Sequence, residues 1–260
     1  MKTIRIKHID GDTSFQNIQL QVKQKEGVLI FYGNGADLGD FKQFADSLKI
    51  KIEKLKKYAK ENIIVAPMQN KNDFFVYLTT FNKFKIAEFH VFSHASGGGL
   101  FLGYHNDESA RSRALAISKS YKANKRITYE EVVNAEIGAL LTDDYYTPKA
   151  MVLKLFCNFL FTKTAFIKFW GCNSGVGNWT YSDNPGQYYW SALNEKNVPK
   201  PSIAQASANF FQIETYGATS GSHIEFLVDG KWQKFSKQPK NHKGIRLHPD
   251  VGDYYSYKPK

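Results

Sequence analysis

The sequence predicts an α/β domain with a mainly parallel, doubly wound sheet and an antiparallel hairpin at its C-terminal edge. Three observations support this fold class. Short apolar runs bounded by glycine are typical of buried parallel strands, and amphipathic stretches alternate with them. Near the C-terminus, Asp229-Gly230 separates two alternating runs within 224–235, which is a strong hairpin signal. At 260 residues the chain is long enough for one such domain with a sizeable core.

Each element is predicted by its own pattern of residues. The helices are indicated by apolar residues at steps of three and four and by start signals: Asp40 with Gln43, Pro148 in a first turn, and Ser202. The segment FFVYLTTFNKF fits either a helix or a further extended piece. The predicted strands are 27–35, 62–67, 86–94, 166–172 and 215–221. The predicted helices are 40–62, a crossover helix at 148–163, and 202–212.

The whole chain, 1–260, is predicted to be a single domain. Its parts are an N-terminal extension at 1–26, a core at 27–235 and a basic tail at 236–260. The 20 Phe and 15 Tyr predict a core built largely from aromatic side chains.

The composition limits which binding partners and which cellular compartment we expect. The 35 Lys and Arg exceed the 24 Asp and Glu by 11, but they are spread over the chain and form no nucleic-acid signature. We therefore expect a solvated basic surface and no specific nucleic-acid partner. No run approaches the roughly 20 apolar residues of a membrane span, so none is expected. The start MKTIRIKHID lacks an apolar segment, which predicts a cytoplasmic protein or one exported by a leaderless route.

Cysteine and histidine usage predicts neither a disulfide framework nor a cofactor. The chain has two cysteines, and Cys157 lies in an apolar helical run where it reads as a small hydrophobe. The seven histidines are scattered instead of forming the spaced Cys/His clusters that bind zinc, so no metal site is expected.

Two predicted strands end in residues that a thiol hydrolase needs. The run IAEFHVFSH ends in His94 and FIKFWGC ends in Cys172, and glycines in both following turns let the backbone bend sharply. Ligands of parallel sheets bind at the carboxyl ends of the strands. If the two strands are neighbours, about 4.8 Å apart, the residues face each other. A histidine there would activate the thiol, so His94 and Cys172 are the predicted dyad.

Other interpretations of these residues stay open. His223 lies 51 residues after Cys172 (223 − 172) and is the partner that a papain-type order would use. The elbow motif G-x-Nuc-x-G is misaligned, because its glycines are Gly171 and Gly175. The fold would also serve a non-enzymatic binding module, and both residues would then merely end core strands.

The motifs FHVFSHASGG and FIKFWGCNSG resemble the caspase-like superfamily of cysteine peptidases, bacterial members included. In that family one apolar strand ends in His-Gly and another in a catalytic cysteine, often as Cys-x-Ser-Gly. Here CNSG matches, whereas Ala95 stands where the first glycine is usual. The resemblance covers about 27–221 and implies a three-layer fold.

The resemblance implies cleavage of a protein or peptide substrate by acyl transfer. Cys172 would attack the scissile carbonyl and His94 would protonate the leaving amine. The oxyanion would be held by backbone N–H groups of Cys172 and of the turn that contains Ala95, Ser96 and Gly97. The implied substrate-pocket residues are Asp37, Trp170 and Ser174.

The resemblance to bacterial members also suggests an effector or toxin, with an intracellular processing enzyme as the alternative. A toxin has to be harmless where it is made. We therefore expect either that a segment such as 177–201 blocks the crevice until it is cut, or that an inhibitory immunity partner covers it.

Overall fold

A computed structural model gives the structure of the protein. It describes residues 2–7, 13–18, 25–33, 41–103, 138–177, 180–181, 190–191, 201–234, 239–249 and 254–260. The strands in these ranges are β1 (Lys2–Lys7), β2 (Thr13–Ile18), β3 (Glu26–Tyr32), β4 (Ile63–Pro67), β5 (Lys85–Phe92), β6 (His94–Ser96), β7 (Gly99–Phe101), β8 (Ala139–Leu141), β9 (Phe161–Phe169), β10 (Thr180–Tyr181), β11 (Trp190–Ser191), β12 (Glu214–Ala218), β13 (Ser222–Val228), β14 (Lys231–Lys234), β15 (Ile245–Pro249) and β16 (Tyr254–Tyr257). The helices are α1 (Phe41–Leu55), α2 (Lys71–Thr80), α3 (Pro148–Leu160) and α4 (Ile203–Phe211).

The central sheet is mainly parallel, as the sequence predicts. Its six strands have the order β16-β12-β9-β5-β3-β4. The strands from β12 to β4 pair in parallel, and β16 pairs antiparallel with β12 at the edge. The predicted third and fourth core strands, β5 and β9, are neighbours, with Val91 opposite Phe169 at the carboxyl ends of the pairing.

Helices cover both faces of this sheet because successive strand residues point to opposite sides. In β3, Leu29 and Phe31 pack in a large cluster with α2, α3 and α4. Val28 and Ile30 pack on the other side, where α1 contributes Phe44 to a smaller cluster. The described part of the chain is therefore a mixed α/β structure with helices on both faces of the sheet.

Local start signals explain where the predicted helices begin. The Thr147 hydroxyl accepts a hydrogen bond from the N–H of Ala150, and Pro148 is the first residue of α3. The Ser202 hydroxyl accepts from the N–H of Gln205 and caps α4. The segment that the sequence left ambiguous is α2, capped by the Asn70 side chain, which accepts from the N–H of Asp73. The crossover helix ends at Leu160, three residues earlier than predicted, because β9 begins at Phe161.

The C-terminal hairpin differs from the prediction in its position. Asp229 and Gly230 have φ values of +49° and +76°, as a tight turn between β13 and β14 requires. However, β13 pairs with β14 and β15 in a separate three-stranded sheet. The antiparallel edge of the central sheet is β16, in the segment that the sequence assigned to a basic tail. Its pairing with β12 depends on residues distant in sequence, which a local pattern does not reveal.

No helix in the described ranges combines the length and the apolarity that crossing a bilayer would require.

Candidate active site

The ends of β5 and β9 bring the segments of His94 and Cys172 side by side. The ladder continues past the last strand pair, because the N–H of Trp170 donates to the carbonyl oxygen of Val91 at 3.0 Å. His94 and Cys172 each lie three residues beyond the pair Val91 and Phe169. Both side chains are partly exposed. The two predicted site residues therefore leave neighbouring strands at equivalent positions.

Gly171 allows these two segments to approach closely. A Cβ atom added at Gly171 would lie 2.7 Å from the carbonyl oxygen of Ser93 and 3.0 Å from the nitrogen of Ala95. Ser93 and Ala95 flank His94 on either side. Any larger residue at position 171 would force the backbone of the histidine segment away from the residue before Cys172.

A hydrogen bond joins the turn that follows His94 (95–98, the histidine turn) to the turn that contains Cys172 (171–175, the cysteine turn). The N–H of Gly97 donates to the carbonyl oxygen of Asn173 at 3.0 Å. Both residues have left-handed backbones, with φ of +52° for Gly97 and +55° for Asn173. Glycine adopts this conformation freely and asparagine is one of the side chains that tolerate it.

This hydrogen bond occupies the N–H of Gly97, one of the predicted oxyanion donors. The N–H of Gly97 is engaged by Asn173 and so holds the cysteine turn in place. Ser96 and Gly99 flank a two-residue turn, which makes them the hydrogen-bonded pair of the hairpin β6–β7. Ala95 is the next pair along, where the alternation directs its N–H away from β7. Its nitrogen lies 3.0 Å from the position of a Cβ atom added at Gly171.

Ser174 has a structural position instead of the predicted place in a substrate pocket. Its side chain is fully buried. The hydroxyl donates to the carbonyl oxygen of Gly171 at 3.0 Å and accepts from the N–H of Ala218 at 3.1 Å. The residue therefore fixes the cysteine turn to the end of β12.

The first turn of α4 ties the histidine turn to the cysteine turn. The N–H of Ile203 donates to the carbonyl oxygen of Gly97 at 2.8 Å, and the N–H of Ala204 donates to that of Ser174 at 3.1 Å. Helix N-termini have N–H groups without partners in the helix, and here two loop carbonyls satisfy them.

The segment that leads to the alternative histidine also passes the cysteine turn. The N–H of Asn173 donates to the carbonyl oxygen of Ser220 at 3.0 Å. His223 follows three residues later as the second residue of β13, and its side chain lies outside the described part of the structure.

Of the remaining predicted site residues, Trp170 lies in the described part of the structure and Asp37 does not. Trp170 directly precedes Gly171 and stacks on Phe92, with ring centroids 5.2 Å apart and planes at 6°. The His94 ring meets the edge of Phe41 at 5.1 Å. Asp37 and all of 104–128 lie outside the described residues, as does most of 177–201.

The two cysteines differ in environment. Cys157 is buried on the core side of α3, its thiol donates to the carbonyl oxygen of Leu153, and burial raises its pKa to about 11. Cys172 is partly exposed at the end of β9. A buried thiol with a raised pKa supplies little thiolate near neutral pH.

The sequence analysis missed a row of hydrogen-bonded side chains that runs from Trp170 through His90 to Glu88. The indole Nε1–H of Trp170 donates to Nδ1 of His90 at 3.3 Å, and Nε2 of His90 lies 3.4 Å from Glu88. Glu88 also accepts from Lys57 and from the hydroxyl of Tyr58, each at 2.9 Å. The signal in the sequence was the i, i+2 spacing of Glu88 and His90 within an apolar strand, which places both on one face.

Burial and these hydrogen bonds set the charge states of His90 and Glu88. Burial lowers the pKa of His90 even though Glu88 acts in the opposite direction. Because Nδ1 accepts from Trp170, the ring is neutral with its proton on Nε2, directed at Glu88. Burial alone would raise the pKa of Glu88, but hydrogen bonds from His90, Lys57 and Tyr58 outweigh it and hold the pKa at about 2.

Lys168 lies on the same face of β9 as Trp170. Its ammonium nitrogen is 4.0 Å from the Trp170 ring centre and 4.2 Å from that of Tyr254. Burial lowers its pKa to about 8, and the nearby charge of Lys51 acts in the same direction.

Among the described residues there is no group of three or more His, Cys, Asp or Glu arranged to hold a metal ion.

Comparison with known proteins returned no relative. No protein-family model, curated protein or solved structure matches the chain.

Proposed function

We propose that this protein is a cysteine peptidase of the caspase-like type, with His94 and Cys172 as its dyad. The observation that carries the proposal is the contact of Gly171 with the backbone on both sides of His94. It brings together the backbone segments that carry two partly exposed side chains, Cys172 and His94, at the carboxyl edge of a parallel sheet. A nucleophile and its base need this proximity, and ligands of such sheets bind at this edge.

The proposed reaction is acyl transfer. The Cys172 thiolate attacks the carbonyl carbon of the scissile peptide bond, and the developing oxyanion accepts a hydrogen bond from the N–H of Ala95. The carbon–nitrogen bond breaks as His94 gives its proton to the leaving amine. His94 then takes a proton from water as the water oxygen attacks the thioester. The carbon–sulfur bond breaks, the acid product leaves, and the Cys172 thiolate is restored beside protonated His94.

Alkylation and peptide cleavage test the nucleophile. We would incubate wild type, Cys172→Ala and Cys157→Ala with an iodoacetamide probe and a mixed peptide library near neutral pH, and analyse both by mass spectrometry. Wild type and Cys157→Ala are expected to be labelled at position 172 and to cleave peptides, whereas Cys172→Ala does neither. Preferential labelling of Cys157 with no peptide cleaved would contradict an activated nucleophile at position 172.

His94→Ala and His223→Ala distinguish the two bases. We expect His94→Ala to lose activity by at least about 10²-fold, the usual contribution of a positioned acid or base, and His223→Ala to retain it. The opposite result in two folded variants would favour the papain-type pairing, which the hydrogen bond between Asn173 and Ser220 makes worth testing. If neither histidine matters and no peptide is cleaved, a binding module on the same fold becomes the better explanation.

For the biological role we propose an exported effector or toxin, with an intracellular processing enzyme as the alternative. The support is the thiol site together with a basic surface of net charge +11, which favours association with anionic partners. An inhibitory partner that covers the carboxyl edge of the sheet would then protect the producing cell.

A further inference from the structure

Helix α3 is apolar on both of its sides. One side packs into the core through Ala150, Leu153, Cys157 and Leu160. The other side is exposed although it also consists of large apolar residues. Their exposed fractions are 46% for Met151, 48% for Val152, 74% for Leu155, 50% for Phe156 and 75% for Phe159. We call these five side chains the α3 band.

The spacing makes the α3 band one continuous surface. Met151, Leu155 and Phe159 follow one another at steps of four, and Val152 and Phe156 form a parallel row beside them. At about 100° per residue the band is roughly 140° wide. The solvent side of a helix in a globular protein is normally polar, and a contiguous exposed apolar surface marks an interaction site.

Lysines border the α3 band on both sides. By the same rotation per residue, Lys154 lies on one flank of the band and Lys149 on the other. Lys149 donates to the side-chain oxygen of Asn72 at 3.1 Å and so keeps its positive charge at the flank. The helix contains no acidic residue, and the whole chain carries a net charge of +11.

These charges decide which partner fits. A second copy of the chain, seated face to face on the band, would bring lysine-bearing flanks of the same charge together around an apolar contact. An anionic bilayer instead accepts the apolar side chains at the boundary of its acyl region and pairs its phosphates with the flanking lysines. The 13-residue helix is about 20 Å long and so lies on a membrane without crossing it.

We propose that the α3 band docks the protein on anionic lipid bilayers, with α3 parallel to the membrane plane. Leu155 and Phe159, the most exposed members of the band, enter the boundary between headgroups and acyl chains. Lys149 and Lys154 contact lipid phosphates. This binding does not depend on Cys172, so it stands or falls separately from peptidase activity.

Vesicle flotation tests the proposal. Full-length protein is mixed with vesicles of phosphatidylcholine and phosphatidylglycerol, or of phosphatidylcholine alone. We compare wild type with Leu155→Ser/Phe159→Ser and with Lys149→Gln/Lys154→Gln. The matched control is Leu55→Ser, because Leu55 is a 68% exposed apolar residue on α1, away from the band.

Wild type and the control are expected to float with the anionic vesicles and much less with phosphatidylcholine alone. The apolar double variant should partition at least about tenfold more weakly, because two large side chains no longer leave water. Each lysine lost should weaken partitioning by about fivefold, and added salt should reproduce that loss. Circular dichroism checks that each variant is folded, which substitutions at exposed positions should not change.

Two results would overturn the proposal. Wild type that stays unbound, or that binds as well after Leu155→Ser/Phe159→Ser as before, excludes the α3 band as a membrane site. A wild-type dimer in sedimentation that dissociates in the same double variant, with no binding to vesicles, assigns the band to a second copy instead.

Discussion

At the scale of single residues, Glu88 is the clearest case of a charge built into the core. Its side chain is 15% exposed, yet His90, Lys57 and Tyr58 direct donors at it and hold its pKa at about 2. Because this pKa is depressed below its ordinary value of 4.5, ionised Glu88 stabilises the fold above pH 4.5. That contribution is lost as the pH falls from 4.5 towards 2.

We predict that Glu88→Gln lowers the free energy of unfolding at neutral pH by about 2 kcal/mol. This is less than the whole pKa shift of Glu88 would give, because its carboxylate retains some contact with water. The gap between wild type and variant should shrink as the pH falls from 4.5 towards 2, because the carboxyl of the unfolded chain takes up a proton there while native Glu88 is still ionised. Urea unfolding over this pH range measures it. Glu53→Gln is the control, since the Glu53 carboxylate lies 4.0 Å from the Lys49 ammonium, compared with 2.9 Å between Glu88 and Lys57. An equal cost in both variants would contradict the special role of Glu88.

Lys168 permits a second prediction at this scale. Its pKa of about 8 means that a substantial fraction of the amine is unprotonated in mildly alkaline solution. Competitive acetylation, followed by mass spectrometry of the peptides, should show the reactivity of Lys168 rising with a midpoint near pH 8. The exposed Lys163 on the same strand gives the reference for access of the reagent. A Lys168 profile without that midpoint would contradict the effect of burial and of Lys51.

At the scale of elements, the cysteine turn is held by its neighbours more than by its own sequence. It receives hydrogen bonds from the histidine turn through Gly97, from α4 through Ala204 and from β12 through Ala218. Each connection uses a backbone group or the buried Ser174 hydroxyl. Such a rigid support keeps a nucleophile oriented with little motion.

Gly171→Ala should disturb this arrangement. The added Cβ would lie 2.7 Å from the carbonyl oxygen of Ser93, so the two strand ends have to separate. We expect a loss of roughly 1–3 kcal/mol in stability, and a drop of about 10²-fold in alkylation of Cys172 and in peptide cleavage, because small misplacements of reacting groups are costly.

Gly244→Ala is the matched control for this substitution. The nearest atom to its added Cβ is 3.5 Å away, which is an ordinary contact. Stability and reactivity should therefore stay near the wild-type values. A Gly171→Ala protein with wild-type reactivity would show that the approach of the two segments does not matter for the thiol.

The edge strand β16 supports the same turn from the other side. The hydroxyl of Tyr257 donates to the carbonyl oxygen of Gly175. We predict that Tyr257→Phe lowers the free energy of unfolding by about 1 kcal/mol, the usual net value of one hydrogen bond. Tyr255→Phe is the control, because Tyr255 on the same strand is 53% exposed. Urea unfolding measures the stability of both variants. Equal stabilities would show that the hydrogen bond from β16 does not stabilise the cysteine turn.

At the scale of the whole molecule, the sequence predicted what depends on local pattern. Apolar runs bounded by glycine identified the parallel strands, and β5 and β9, whose adjacency the sequence analysis took only as a condition, do pair in the sheet. What depends on distant pairing was not predictable in this way. The segment YYSY contains three tyrosines, which favour strands, but its pairing with the edge of β12 joins residues that are distant in sequence.

The candidate site divides along the same line. His94 and Cys172 stand out in the sequence because each follows an apolar run and precedes a glycine-bearing turn. The position of Ser174 and the engagement of the Gly97 N–H depend on where β12 and the cysteine turn meet in space. The chain from Trp170 to Glu88 was missed because a carboxylate inside a core strand reads as an interruption until its donors are visible.

The role of the whole protein leads to the last prediction. Wild type and Cys172→Ala are expressed in a bacterium from the same inducible promoter, and growth is followed while peptidase activity is measured in extracts. A toxin acting through the thiol should arrest cells that carry wild type, whereas Cys172→Ala cells grow normally. Leu155→Ser/Phe159→Ser tests the α3 band independently of the thiol, because it alters α3 and leaves the site residues unchanged. Equal growth of wild-type and Cys172→Ala cells, with active enzyme present in the former, would exclude toxicity to that host through Cys172 and leave intracellular processing as the better role.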